Sequence, residues 1–245
     1  AGAATQFLTS NDNITFATGN IELANGSDLT VDTGAEGGNI TIGEIDGASQ
    51  ETVTLDAGTG TTSVGVIGSG TEIGVLTIGS SDNGGITLNG AITTDGAVTI
   101  DGPVTLATGA VSVTTANDAI SFNHSIDGGQ TLTLSSGSAA ITFTGALGAS
   151  TSLGGLTVNS AGAGNITFSS TIGDAENAGV VGTTAIGNAA TNDLNFNSTI
   201  YSFNGATTIT AKSGDTIDLA AGAATQFLTS NDNITFATGN IELAN

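Results

Sequence analysis

Short apolar triplets recur at a fixed distance along the middle of the chain, and this recurrence restricts the fold more than any other feature. Leu132-Thr133-Leu134 is followed 24 residues on by Leu156-Thr157-Val158. Ile141-Thr142-Phe143 is followed 25 residues on by Ile166-Thr167-Phe168, and Leu147 by Ile172 at the same distance. Self-similarity at a period of about 20–50 residues marks a solenoid, in which each small unit buries its apolar face only against its neighbours.

The triplets decide what kind of solenoid. Side chains alternate across a strand, so in each triplet the outer two residues point one way and the Thr the other. Between triplets stand Gly, Asn, Ser and Ala runs such as Ser160-Ala161-Gly162-Ala163-Gly164-Asn165; these turn the chain and do not continue a helix. The expected fold is all-β: a parallel β-helix (β-solenoid) with about three short strands per coil of roughly 22–24 residues, right-handed by the rule for parallel crossovers.

Composition agrees. There are 38 Gly against a single Pro, a hydrophobic fraction of 38% and a charged fraction of 9%, which excludes collagen, a proline-rich linker and simple disorder. With so few charges the surface must consist mainly of Ser, Thr, Asn and Gly. No Cys is present, so disulfides, thiolate zinc sites and thiol chemistry are excluded. No signal peptide pattern opens the chain and no long apolar run crosses it, so it reads as an interior piece that is not membrane-inserted.

The segment Ala1–Asn25, AGAATQFLTSNDNITFATGNIELAN, recurs unchanged as Ala221–Asn245. Residues 1–220 therefore read as one solenoid repeat of about nine to ten coils and 221–245 as the start of the next. A continuous solenoid is expected to repeat a segment after a whole number of coils, which at a strand spacing of about 4.8 Å makes one repeat roughly 45 Å long.

The triplets sort into three expected rows. One face collects those starting at Leu29, Val53, Leu76, Val98, Leu132 and Leu156; a second collects those at Ile14, Ile40, Ile86, Ile120, Ile141, Ile166 and Leu194. A shorter third side uses Ile45, Val66, Ile92, Ile126, Leu147, Ile172 and Ile200. Triplets crowd together from Val104 to Val113, and the pattern weakens from Glu176 to Ala190. Phe16, Phe122, Phe143, Phe168 and Phe196 are expected to stack through the core. Asn13, Asn39 and Asn165 precede second-face strands, where a left-handed corner residue is expected.

Phrases such as Leu153-Gly154-Gly155-Leu156-Thr157-Val158-Asn159-Ser160-Ala161 followed by Gly164-Asn165-Ile166-Thr167-Phe168, and Gly96-Ala97-Val98-Thr99-Ile100, resemble the repeat regions of filamentous-haemagglutinin-like proteins and β-strand-repeat adhesins of bacterial surfaces, autotransporter passengers included. The resemblance is one of repeat style over nearly the whole chain. It implies export to an extracellular or cell-surface location and a fibrous, adhesive or coat-forming role. The partners are then the chain itself, as the next repeat of the same solenoid or a neighbouring fibre, and a host surface, a neighbouring cell or a glycan.

Charge narrows the partners. The formal net charge is −21, with Lys212 the only Lys or Arg. Leaving out the duplicated segment, the 220-residue unit holds 20 acidic residues, about one net charge per 2–3 Å of axis, approaching the density of duplex DNA. That sign excludes nucleic acid and disfavours anionic membrane surfaces. No cofactor is required. Ca2+ suits the oxygen ligands of acidic corners, with candidates at Asp12 beside Asn11 and Asn13, at Asp82 beside Asn83, and at Asp174 and Glu176 beside Asn177. The alternative for the same residues is a solvated acidic surface that keeps fibres apart.

Three function classes remain: a structural surface fibre, a ladder-based binder of ice or glycan, and a carbohydrate-active β-helix enzyme. The binder would use stacked outward Thr30, Thr54, Thr77, Thr99, Thr133 and Thr157, whose other explanation is the β-propensity of Thr. The enzyme would need a base or a carboxylate pair. His124 and Lys212 are the only non-acidic candidates, and no carboxylate pair stands out. The expected protein is a non-catalytic structural repeat.

Overall fold

The computed structural model describes residues 3–79, 84–219, 222 and 224–243. Among them every regular element is a β-strand and every strand pairing is parallel, so the fold is an all-β parallel solenoid. Three rows of paired residues run its length. Face A is Thr5, Leu29, Val53, Leu76, Val98, Ile120, Ile141, Ile166, Leu194, Ile217 and Ile241. Face B is Ile14, Ile40, Thr62, Ile86, Val104, Ile126, Leu147, Ile172, Tyr201 and Phe227. Face C is Ile21, Ile45, Ile67, Ile92, Val113, Leu134, Val158, Ile186, Ile209 and Phe236.

Each coil thus visits A, B and C in turn. Its inward residues are buried: Leu29, Val31, Ile40, Ile42 and Ile45 in one coil, Ile120, Phe122, Ile126, Leu132 and Leu134 in another. Coil length, read along face A as the difference between paired residue numbers, ranges from 21 (Ile120 to Ile141) to 28 (Ile166 to Leu194), wider than the expected 22–24.

The rows differ from those expected in one systematic way. Leu132 and Leu156 pair on face C, not with Val98, whose upper neighbour is Ile120. Ile120, Ile141, Ile166 and Leu194 continue face A, and Ile126, Leu147 and Ile172 continue face B. The expected rows therefore slip by one face midway. The cause is the coil after Val98, where Val104–Leu106 and Val111–Thr115 supply complete strands for B and C. Three equal triplets then follow one another with nothing in their residues to mark which face each occupies. The weak stretch from Glu176 to Ala190 belongs to the 28-residue coil, which carries an extra turn at 174–177 closed by the N–H of Asp174 on the carbonyl of Asn177, 2.9 Å.

The corner between B and C is tight because small residues stack there. A Cβ on Gly65 would lie 2.0 Å from the carbonyl oxygen of Gly43, and one on Gly43 would lie 2.8 Å from that of Ala17. Long strands such as Ile40–Asp46 and Thr62–Ile67 bend through this corner without breaking.

Phe122, Phe143, Phe168 and Phe196 form a buried face-to-face ladder, with centroids 5.9, 4.8 and 5.4 Å apart and planes within 11° of parallel. Phe16 is not part of it: it pairs with Ile42 on face B and meets Phe7 edge-on. Asn13, Asn39 and Asn165 do not adopt the left-handed conformation either; among described non-Gly residues only Asn11 and Ser49 do. Instead each side-chain oxygen accepts a backbone N–H one coil on, from Asn39 at 2.8 Å, Thr61 at 2.9 Å and Asp193 at 3.3 Å respectively. The corner needs an acceptor for a turned-away N–H more than it needs a positive φ.

Candidate functional site

Strand alternation puts one hydroxyl row on the outside of every face. On face A, Thr30, Thr54, Thr77 and Thr99 stack in register and are followed by Ser121, Thr142 and Thr167. They are half-buried between buried apolar neighbours. Thr133 and Thr157 stack on each other and on Ser112, but in face C, so the expected six-residue ladder is two ladders on two sides of the rod. Face B has a third: Thr15, Thr41, Ser63, Thr87 and Thr105. The members that sequence reasoning left out carry the same apolar–hydroxyl–apolar signature; only their face was unreadable.

The acidic corners have a structural occupation. Asp174 Oδ1 accepts the N–H groups of Glu176 (2.8 Å) and Asn177 (2.6 Å) and lies 3.3 Å from Asn177 Nδ2. These donors hold its carboxyl below the usual aspartate range. Glu176 is exposed at the tip of the same turn. Asp12 is exposed, its backbone carbonyl accepting Thr9 Oγ1 at 2.6 Å. Asp82 and Asn83 lie outside the described residues. Among the described residues no three His, Cys, Asp or Glu side chains gather closely enough to hold a metal ion.

The same capping recurs elsewhere. Asp28 Oδ1 accepts the N–H of Thr52 at 2.8 Å, Asp127 Oδ1 those of Ser150 and Thr151 at 2.8 and 3.0 Å, and Asp193 Oδ1 that of Thr216 at 3.0 Å. All three reach across one coil. Glu51 goes further: it is fully buried, with Oε1 accepting Gly26 N–H at 2.9 Å and Oε2 accepting Ala48 and Gln50 N–H at 2.6 and 3.2 Å. Burial pushes its carboxyl up, but the three backbone donors outweigh burial and leave it below the ordinary glutamate value. At Asp46 burial again opposes, and the donors Gly70 N–H and Asn20 Nδ2 again prevail. Nothing in the sequence around Glu51 marked it as different from the other acids.

The two basic side chains stand at different corners. His124 Nε2 is 3.5 Å from Asp101 Oδ1 between faces A and B, and Lys212 Nζ is 3.3 Å from Asp215 Oδ2 between faces C and A. A groove of about 350 Å3 opens along face B between the 174–177 turn and the last coils, lined by Glu176, Ser202, Asn204, Thr229 and Ser230 among others. Sequence reasoning did not find it, because it arises where three short segments from successive coils come together. Among the described residues no helix is long and apolar enough to cross a membrane. No family model, curated protein or solved structure matches the chain.

Proposed function

We propose that this chain is a structural repeat of an extracellular bacterial surface fibre or giant adhesin: a rigid acidic rod without catalytic function. The observation that carries the reading is the unbroken ladder of face A, eleven strands paired in one order from Thr5–Leu8 to Asn240–Leu243, together with a last coil whose sequence is that of the first. Such a ladder gains stability coil by coil through neighbour contacts and extends without a new kind of interface. Hydroxyl rows and a net charge of −21 keep its sides hydrated and repel parallel rods.

The partners in this reading are the next repeat along the rod and, laterally, a host surface, a neighbouring cell or a glycan. The sign of the charge argues against nucleic acid. Ca2+ enters as the ion suited to the acidic corners; calorimetric titration with calcium chloride tests it, since saturable heat at fixed stoichiometry supports specific sites and featureless dilution heat removes them. A second reading, binding through the hydroxyl rows, draws on the uninterrupted Thr30–Thr54–Thr77–Thr99 stack. Pull-down on insoluble glycans with Thr54→Lys and Thr77→Lys separates the two: loss of binding in the variants favours the row, and absence of binding in both leaves the rod alone.

A further inference from the structure

The two copies of the 25-residue segment do not occupy the same faces. In the first copy Phe7 is on face A against Val31, Ile14 on face B against Ile40, and Ile21 on face C against Ile45. In the second copy the equivalent Phe227 is on face B against Tyr201, Ile234 on face C against Thr207, and Ile241 on face A against Ile217. Every equivalent pair has moved one face onward, which overturns the expectation of a whole number of coils. Counting along the rows, Phe7 and Phe227 are separated by nine coils and one face, as are the other two pairs.

The segment keeps its own shape while doing so. Phe7 and Phe16 meet edge-on with centroids 5.0 Å apart, and Phe227 and Phe236 do the same at 5.2 Å. Gly19 and Gly239 hold φ of +93° and +99° at the equivalent turn of the segment, between faces B and C in the first copy and between C and A in the second, each beside a register shift in its ladder. The residues that face inward in the first copy face inward in the second, because all three faces share one apolar–hydroxyl–apolar pattern. The same segment thus packs on its neighbour in two orientations one face apart.

Resting on the fibre reading, we infer that the repeat is a unit of nine and one third coils, so that successive copies in a tandem array are related by a rise of about 45 Å and a rotation of one third of a turn. Three copies, 28 coils and about 135 Å, bring a given face back to the same side. The surface offered to a partner follows from this. The 174–177 turn and the groove beside it project in succession from all three sides, and each hydroxyl row ends within one repeat, because the next copy puts a different face there. The rod therefore fits discrete partners arriving from any side, such as separate glycan chains, and is unsuited to an extended flat lattice.

The test is cryo-electron microscopy of the chain extended to several consecutive copies, with faces traced through the map and the 174–177 protrusion as marker. The expected result is a rod whose protrusions step by about 45 Å and move to the next face at each step, returning after three. A rod of the same axial step whose protrusions stay on one face would overturn the rotation and leave the fibre intact; compact particles would overturn the array itself. The chain contains no cysteine, so the face shift can also be read in the single chain. Thr208→Cys with Thr235→Cys, neighbours on face C, is expected to form a disulfide on oxidation. Linkage of Ser202→Cys to Thr235→Cys in its place would put the second copy back on face B and sink the inference.

Discussion

Glu51 concentrates the chemistry of the corners in one side chain. Its folded-state value lies below the unfolded one, so the carboxylate contributes stability that is complete above the ordinary glutamate range and is lost as the pH falls through the lowered value. Glu51→Gln removes charge-assisted bonds to three backbone N–H groups and is expected to cost about 1–3 kcal/mol at pH 7. Thermal unfolding of the two proteins checks the sign: the difference in Tm is largest near neutrality and narrows as the pH falls below the ordinary glutamate range. Glycine tests the backbone in the same way. Gly65→Ala puts a methyl group 2.0 Å from the Gly43 carbonyl oxygen and should cost about 1–3 kcal/mol, whereas Gly129→Ala, with nothing within 4 Å, should leave the unfolding midpoint in urea nearly unchanged.

At the scale of the element, the strand triplet was fully readable and its address was not. Ile141-Thr142-Phe143 and Ile166-Thr167-Phe168 announce short half-buried strands one coil apart, and they pair in that register. Phe122, Phe143, Phe168 and Phe196 stack as the sequence suggested, while Phe16, in an identical local phrase, belongs to face B. Alternation reports inside against outside; it carries no information on which side of a three-sided coil a strand will lie. The Asn corners depart from expectation for a related reason, since a left-handed residue and a side-chain acceptor are written with the same amino acid. Phe168→Ala opens the middle of the aromatic ladder and is expected to cost about 3–5 kcal/mol, and Phe168→Leu less. Hydrogen exchange should show the loss of protection centred on the coils of Phe143 and Phe196 and fading beyond them, because coils are coupled only to their neighbours; uniform loss along the chain would contradict that coupling.

For the whole molecule, charge and architecture bear on each other. Carboxylates such as Asp28, Asp127 and Asp193 close backbone bonds between coils, so part of the negative charge that reads from sequence as a solvated coat is built into the corners. Added salt should therefore stabilise the rod by screening its self-repulsion without dissolving these partly shielded bonds, an effect that a melting series in sodium chloride measures as a rising Tm. The candidate sites were less legible than the fold because they depend on which coils are adjacent: the groove beside Glu176 and the division of the Thr rows both follow from register. Averaged electron microscopy of the native material that contains this chain tests directly whether it forms a rod of stacked repeats. A thin unbranched fibre with an axial rise near 45 Å per copy is the result expected of stacked solenoid repeats; compact separate particles of uniform size would contradict it.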